Sequence, residues 1–380
     1  MMNIFLALVS AATMVAGPTN TPTDNPRRSS LDQQVHAAAT EFFEDKCHVG
    51  LSIALIEGNR RHFYNYGSVS KQRPQLPGRR SLYEIGSITK TFTGTLAAQA
   101  VVEGAIDLDA DFRNYLPASY PNLEFAGKPI TLRTLAVHKS GLPRDWPDTD
   151  ALFARPDFDK LPFQLIELEK EYDRARYLRE LREVRLTFEP GQKLLYSNLG
   201  MKLLGFGLEH VHGRSFEELL SSQILQPLGM RDTSLVPTTA HRRRLVQGYM
   251  PSGLPAPHIL PNAGAAAGLV ASSEDLIKYA AWHLDERTPS VALSHQPLAG
   301  SLDDFALGMI WDMQNTAEGR KLWHSGGVFG MSSQLILFPD SAKAYVLLAN
   351  DACFDTQGKL DKIAMTLQRG ASKPPVEVER

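Results

Sequence analysis

A serine and a lysine stand three residues apart within residues 84–92. Ser87 and Lys90 lie where an extended pattern gives way to the apolar spacing of a helix, and Gly86 breaks the first pattern. We therefore expect Ser87 on the first turn of a buried helix, where side chains at i and i+3 share a face. A hydroxyl beside an amine in an apolar wall, with unpaired backbone amides at the helix start, is suited to nucleophilic catalysis.

Two further short motifs follow along the chain. They are Tyr196-x-Asn198, at the start of a helical pattern, and His324-Ser325-Gly326-Gly327, at the end of a predicted strand. Motifs this short also arise by chance. Chance matches of the same three types occur at Ser68/Lys71, Tyr120/Asn122 and His48/Gly50. Their order along the chain differs, and Lys71 and Tyr120 lie in proline-containing loops or turns, so we assign chemistry to the first set.

In this order the motifs resemble those of the penicillin-recognising serine hydrolases. The resemblance is to the branch that holds class C β-lactamases, DD-peptidases and family VIII esterases. Residues 130–143, 189–191 and 227–230 are also typical of that branch, so the resemblance extends over residues 31–350. A long, charged helical stretch before Phe188 points within the branch to AmpH-like DD-carboxypeptidase/endopeptidases.

The resemblance implies a catalytic role for four residues. Ser87 would be the acylated nucleophile, and Lys90 and Tyr196 would share the work of the general base, in an order that the resemblance leaves open. The backbone N–H groups of Ser87 and Gly327 would form the oxyanion hole. We expect His138 to brace its loop rather than to act as a catalyst, and we expect no cofactor.

The resemblance also implies the substrate-binding residues. Asn198 would hydrogen-bond Lys90 and the substrate amide, while His324, Ser325 and Gly326 would contact the substrate. Most β-lactamases of this branch carry a lysine where His324 stands. Lysine is a permanent cation for a substrate carboxylate, whereas histidine is largely neutral at pH 7. This difference favours a peptidase over an efficient β-lactamase.

The pattern around the motifs predicts an α+β fold. Strands are expected at residues 50–56, 62–67, 321–324, 332–338 and 342–349, and helical patterns at 31–43 and 151–186. We expect one antiparallel sheet domain built from both chain ends, residues 31–105 plus 301–370. Residues 106–300 would form a mostly helical insertion, with the active site in the cleft between the two domains. The resemblance implies the same class C β-lactamase/DD-peptidase-like architecture.

The N-terminus predicts export. Residues 1–17 hold an apolar run that is too short to span a membrane and is followed by small residues, as is typical of a signal peptide. An ordinary hydrophobic helix is the alternative. Residues 18–30 are polar and contain proline, which indicates a linker. We expect a periplasmic or secreted protein with no transmembrane segment after signal removal.

The chain has two cysteines, Cys47 and Cys353, far apart in sequence. In an exported protein an even count permits a disulfide, although two separate thiols would fit the sequence as well. In the resembled fold the first strand lies antiparallel to the last, and this pairing would bring the two cysteines together. The resemblance therefore implies a Cys47–Cys353 disulfide. Neither cysteine has metal-ligand spacing, so no metal site is expected.

Composition narrows the possible partners. A formal net charge of −2 over 380 residues argues against nucleic-acid binding, and no Gly-x-Ser-x-Gly elbow is present. We expect a secreted serine DD-carboxypeptidase/endopeptidase that acts on D-Ala-D-Ala-type peptidoglycan peptides and binds penicillins. A β-lactamase or short-chain esterase of the same fold is the alternative enzyme. A non-catalytic penicillin-binding sensor module is the alternative of another class.

Overall fold

The computed structural model describes residues 21–259 and 261–371. Its strands are β1 (Gly50–Glu57), β2 (Arg60–Gly67), β3 (Leu82–Glu84), β4 (Glu124–Phe125), β5 (Lys128–Pro129), β6 (Val270–Ser272), β7 (Ala299–Ser301), β8 (Phe305–Leu307), β9 (Asp312–Thr316), β10 (Gly319–Val328), β11 (Met331–Phe338) and β12 (Lys343–Ala349). Its α-helices are α1 (Ser30–Phe42), α2 (Thr89–Val102), α3 (Leu132–Ala136), α4 (Asp150–Ala154), α5 (Leu161–Glu169), α6 (Arg174–Glu180), α7 (Asn198–His212), α8 (Phe216–Leu220), α9 (Thr239–Arg242), α10 (Gly264–Ala267), α11 (Ser273–His283), α12 (Pro289–Ser294) and α13 (Thr356–Ala371). The predicted signal peptide and the first residues of the predicted linker lie outside the described residues.

The central feature is an antiparallel sheet of eight strands in the order β2-β1-β12-β11-β10-β9-β8-β7. The N-terminal hairpin joins the C-terminal strands through β1 and β12, with Leu51 opposite Ala349 and Ile56 opposite Ala344. The sheet is thus built from both ends of the chain, as the sequence predicted.

Three strands at one edge of the sheet were not predicted. β7 and β8 have three residues each, which is too short for an alternating pattern to stand out. β9 reads Asp-Met-Gln-Asn-Thr, and its polar residues hide the pattern of a strand. β9 pairs with β10, β8 with β9 and β7 with β8, and the local sequence of a short strand does not specify these neighbours.

Helices cover both faces of the sheet. On one face, Leu51 and Ile53 of β1 pack in one apolar cluster with Val35 of α1 and Leu360 of α13. On the other face, Ala54 belongs to the larger cluster that includes α2 and α11. β1 is therefore buried on both sides, which explains its nearly continuous apolar sequence.

Cys47 and Cys353 are joined in a disulfide, and their Cα atoms are 6.1 Å apart. Cys47 follows α1 and precedes β1, whereas Cys353 follows β12. The antiparallel pairing of β1 with β12 brings these two ends together.

The middle of the chain is helical but more broken than expected. Residues 151–186 were predicted as helical, and they form the short helices α4, α5 and α6 with turns between them. Tyr177, Val184 and Leu186 of this stretch are buried, so it packs against the rest of the molecule. Within the part of the chain that the structure describes, no helix is both long enough and apolar enough to cross a membrane.

Candidate active site

Ser87 lies on a 3₁₀ turn, Gly86–Ile88, that runs directly into α2. The predicted first turn is therefore 3₁₀ rather than α-helical, which still leaves residues three apart on one face because a 3₁₀ turn has three residues. Lys90 Nζ donates to Ser87 Oγ at 2.9 Å. The predicted pair of hydroxyl and amine is thus in contact.

Lys90 is fully buried. Its Nζ also donates to the backbone carbonyl of Ala266 at 2.7 Å, which holds the side chain in place. Burial lowers the pKa of Lys90 well below the ordinary value of a lysine, and the charges of Arg144 and Lys202 lower it further against the opposing effect of Asp145. The environment therefore favours the neutral amine, which is the form that can accept a proton.

Tyr196 lies close to both Lys90 and Ser87. Its ring centroid is 4.7 Å from Lys90 Nζ, and its hydroxyl interacts with the Ser87 side chain. Burial raises the pKa of the Tyr196 phenol above its ordinary value, and the nearby Asp312 raises it further. The phenol therefore keeps its proton at neutral pH.

His138 packs behind Tyr196 and braces its loop, as expected. Its Nδ1 accepts a hydrogen bond from the Ser197 backbone at 3.2 Å, so the neutral ring carries its proton on Nε2. Burial, with the charges of Lys90 and His324, lowers the pKa of His138 to about 3. The ring is neutral and cannot act as a cation here.

Asn198 is placed differently from the prediction. Its amide Nδ2 donates to Asp145 Oδ1 at 2.7 Å, whereas the acceptors of Lys90 are Ser87 and Ala266. The predicted hydrogen bond between Asn198 and Lys90 is therefore wrong for this structure. Asp145, in the loop after α3, fixes the orientation of the amide by accepting from Nδ2, and Lys90 Nζ donates elsewhere.

The third motif lies at the end of β10. Its His324 ring is buried, with 5% of the residue exposed, whereas the sequence predicted a residue in contact with substrate. His324 Nδ1 is 2.7 Å from the carbonyl oxygen of Ser325. Burial is the main cause that lowers the pKa of His324 to about 4, so its ring is neutral at pH 7.

The glycines of this motif bring β10 against the nucleophile. A Cβ on Gly326 would lie 2.0 Å from the carbonyl oxygen of Ile85, so a larger residue does not fit without a shift. Gly327 is exposed and its backbone lies against Gly86, one residue before Ser87. The backbones of Ser87 and Gly327 are thus neighbours, as an oxyanion hole requires.

A cleft opens above Ser87 and is bordered by α5, α7 and the end of β10. It is lined by Ser87, Arg144, Asp145, Thr149, Phe153, Leu165, Ile166, Glu169, Tyr196, Asn198, Lys202, Ile259, Ala263, Ala266, Ala267, Gly327, Val328 and Phe329. Residues from widely separated parts of the chain therefore meet around one nucleophile.

One group of side chains resembles a metal site. Ligand atoms of His48, Asp351 and Cys353 lie within 4.8 Å of one another. Cys353 is in the disulfide, however, and a disulfide sulfur is not the thiolate that binds metal. This group therefore does not serve as a metal centre.

Comparison with known proteins agrees with this geometry. The β-lactamase family model matches residues 35–368. The chain belongs to the β-lactamase family. Membership places it among serine hydrolases, and the family that the motifs resemble is confirmed.

Similar proteins carry both peptidase and β-lactamase names. The D-alanyl-D-alanine-carboxypeptidase/endopeptidase AmpH of Escherichia coli K12 is 27% identical over 362 residues, 88% of each chain. A β-lactamase of Providencia stuartii is 30% identical over 273 residues, which cover 69% of this chain and 64% of that protein.

Solved structures of the β-lactamase family show the same fold. A class C β-lactamase superposes with a TM-score of 0.76 at 20% identity, over 91% of this chain and 99% of that one. A β-lactamase/D-alanine carboxypeptidase from Yersinia pestis, complexed with citrate, superposes with a TM-score of 0.74 at 24% identity, over 90% of this chain and 99% of that one. The predicted class C β-lactamase fold is confirmed.

Four charged residues of the cleft in this β-lactamase-family chain were missed by sequence reasoning: Arg144, Asp145, Glu169 and Lys202. A signal existed for Lys202, because it stands four residues after Asn198 and therefore shares its helix face. Glu169 gave none, because it lies in a stretch whose many charges resemble a solvated surface.

Proposed function

We propose that this chain is a secreted serine hydrolase that forms an acyl-enzyme on Ser87. The observation that carries the proposal is the contact between Ser87 Oγ and the buried amine of Lys90. Such an amine can accept the hydroxyl proton near neutral pH because burial lowers its pKa.

The opposite pKa shifts of Lys90 and Tyr196 support different tasks for the two residues. We propose Lys90 as the base, since its neutral form is favoured, and Tyr196 as a proton donor, since its phenol stays protonated. The Ser87 proton passes to Lys90 Nζ while Oγ bonds to the substrate carbonyl carbon. The backbone N–H groups of Ser87 and Gly327 would stabilise the negative charge that forms on the carbonyl oxygen.

The second half of the reaction reverses these proton transfers. The carbon–nitrogen bond of the substrate breaks, and the leaving amine takes a proton from the Tyr196 hydroxyl, which Lys90 replaces. Water then attacks the ester carbonyl carbon and gives one proton to Lys90 Nζ, which passes it to Ser87 Oγ as the bond from Oγ to that carbon breaks and the acid product leaves. No other group is needed for the atoms and charges to balance.

We propose peptides of the D-Ala-D-Ala type as substrates, cleaved as a DD-carboxypeptidase/endopeptidase would. The similarity to AmpH, a D-alanyl-D-alanine-carboxypeptidase/endopeptidase, supports this substrate class, with 88% of both chains aligned. The neutral, buried His324 supports it as well, because the third motif then lacks the cation that most β-lactamases carry. A periplasmic or secreted location is supported by the disulfide, which is typical of oxidising compartments.

A second candidate is a short-chain esterase of the same fold. Phe153, Ile166, Ile259, Val328 and Phe329 give the cleft an apolar lining that suits a small acyl group. A simple ester has no carboxylate, so its binding requires no cation at the position of His324.

Intact-protein mass spectrometry with benzylpenicillin tests the proposal, with Ser87→Ala as the control. We expect a persistent adduct on the wild type alone, followed by D-Ala release from D-Ala-D-Ala peptides in a turnover assay. Penicilloate without an adduct would instead identify a β-lactamase. An adduct without turnover of any peptide or ester would identify a penicillin-binding sensor.

A further inference from the structure

One wall of the cleft carries charged side chains that the proposed acylation does not use. Arg144 and Asp145 come from the loop after α3, Glu169 is the last residue of α5, and Lys202 lies on α7. All four line the same cleft as Ser87. The hydrogen bonds and ion pairs among these side chains decide which chemical group of a substrate this wall can bind.

The first observation is the orientation of Asn198. A carboxylate only accepts hydrogen bonds, so the NH₂ of the Asn198 amide must face Asp145, 2.7 Å away. Asp145 is itself held by Thr149 Oγ1 at 3.2 Å and by Arg144 Nε at 3.3 Å. The Asn198 Oδ1 is therefore turned away from Asp145. In the cleft this residue offers an acceptor.

The second observation is the weak pairing of Glu169. Its partner is Lys202 Nζ at 3.7 Å, which is longer than a hydrogen bond, and 21% of the Glu169 side chain is exposed. Lys202 donates instead to the Tyr177 hydroxyl at 2.5 Å. Glu169 is thus a carboxylate in the cleft with hydrogen-bonding capacity left over.

The charges around Glu169 lead to the same conclusion. Burial raises the pKa of Glu169 against the opposing charge of Lys202, and the charge of Asp145 raises it further, so Lys202 does not fully compensate the ionised Glu169. Burial also lowers the pKa of Lys202, against the opposing charges of Glu169 and Asp145. Arg144 is engaged with Asp145 and stacks on Phe153, 4.9 Å from its ring centroid. Neither Arg144 nor Lys202 therefore gives the Glu169 carboxylate a close hydrogen-bonded ion pair.

We propose that this wall binds a protonated amine of the substrate, with Glu169 and Asn198 Oδ1 as the acceptors. An ammonium carries three hydrogen-bond donors and no acceptor. It therefore matches the Glu169 carboxylate and the Asn198 Oδ1, which both accept. A neutral alkyl group would leave both acceptors unpaired, and a carboxylate would be repelled. The proposal rests on the proposed function, because it places the amine in a molecule that acylates Ser87. The substrate class is narrowed to amine-bearing peptides.

Two penicillins that differ by one amine provide the test. Ampicillin is benzylpenicillin with an added amino group on the side chain, and at about pH 6 this amine carries its proton. We expect the wild type to be acylated about tenfold faster by ampicillin, as one charge-assisted hydrogen bond would give. Glu169→Gln should reduce the ratio of the two rates to about one. Glu171→Gln, an exposed neighbour, is the matched control and should keep the wild-type ratio.

Equal acylation rates in the wild type, or a ratio that survives in Glu169→Gln, would overturn the proposal. If neither penicillin forms an adduct, the proposed penicillin reactivity fails, and binding to Ser87→Ala is measured instead. The probes are then D-phenylglycinamide and phenylacetamide, which differ by the same amine. About tenfold tighter binding of the amine would support the wall as an ammonium site, and equal affinities would overturn it.

Discussion

The imidazole ring of His138 lies against the phenol ring of Tyr196, with ring centroids 4.4 Å apart. His138 has a left-handed backbone, with φ of 53°, and it is almost fully buried. The neutral imidazole ring therefore packs against the Tyr196 ring and holds it in position.

Replacing His138 should slow the acylation of Ser87. For His138→Gln we expect a fall of about tenfold or more in the acylation rate, because Tyr196 loses its position against Ser87. Apparent substrate affinity should change little. Exposed His210→Gln serves as the control. Because the pKa of His138 is already lowered to about 3, the pH profile above pH 5 should keep its shape, and a shifted profile would contradict a positioning role.

The role of Lys90 makes a prediction about pH. The base must be neutral, so acylation should rise with pH along a limb that lies well below the ordinary pKa of lysine. Lys90→Arg should lower the rate by about 10²- to 10⁴-fold, because an arginine in a protein keeps its proton. Stopped-flow acylation between about pH 5 and pH 10 measures both. A rate in Lys90→Arg within threefold of the wild type would exclude Lys90 as the base.

Gly326 should tolerate no side chain. A Cβ there would lie 2.0 Å from Ile85 O and 2.3 Å from Ser333 Oγ, so Gly326→Ala should push β10 away from Ser87. We expect loss of acylation and a decrease of about 1–3 kcal/mol in the free energy of unfolding. Gly78→Ala, where a Cβ has open space, is the control. Full activity in Gly326→Ala would show that this close approach is not required.

The Cys47–Cys353 disulfide should stabilise the fold substantially. It links residues 306 positions apart, and bridges over long loops restrict the unfolded chain most. We expect a loss of about 2–5 kcal/mol in Cys47→Ser/Cys353→Ser, measured by urea denaturation. A reductant should lower the stability of the wild type and leave the double variant unchanged. An equal response of both proteins would argue against the bridge.

Two buried histidines should make stability depend on pH. His295 Nδ1 is 2.8 Å from a Glu286 oxygen and must donate to it, so its Nε2 accepts from His283 Nδ1 at 3.0 Å. Both rings are neutral, and burial lowers the pKa of each. The unfolded chain therefore binds more protons below about pH 6.5, and this contribution to stability is lost as the pH falls.

The measurement needs a variant, because Asp312 acts in the opposite direction. Burial raises the pKa of Asp312 to about 7, which favours the folded state as the pH falls. We therefore compare His295→Gln with the wild type by urea denaturation at pH 8 and at about pH 5. The variant should lose less stability than the wild type on acidification. Parallel losses would show that the histidine pair does not titrate on unfolding, and His210→Gln should follow the wild type.

The local parts of the site could be predicted from sequence. Ser87 and Lys90 are three residues apart on one turn, so their contact follows from chain geometry alone. The orientation of Asn198 could not be predicted, because its partner Asp145 stands 53 residues earlier in a loop. Glu169 similarly depends on how α5 packs over the cleft.

The same distinction holds for the fold. β1 and β12 were predictable because burial on both faces demands long apolar runs. β7, β8 and β9 are short or polar, and their pairing depends on neighbours that the local pattern does not contain. For His324 only one part was predictable. The sequence predicted its strand, but its burial depends on how β10 packs against the turn that carries Ser87.

The pairing of β1 with β12 has a consequence for how the protein is made. The β1–β2 hairpin is synthesised long before β12, so β1 lacks the neighbour on its other side until Ala349 has emerged. Loops that close over such distances form slowly. Ser87, the proposed nucleophile, is thus synthesised well before Gly327, its proposed partner in the oxyanion hole. The proposed site therefore forms only after the strands from both parts of the chain have been synthesised, and a chain released before β12 would leave β1 as an open edge prone to aggregation.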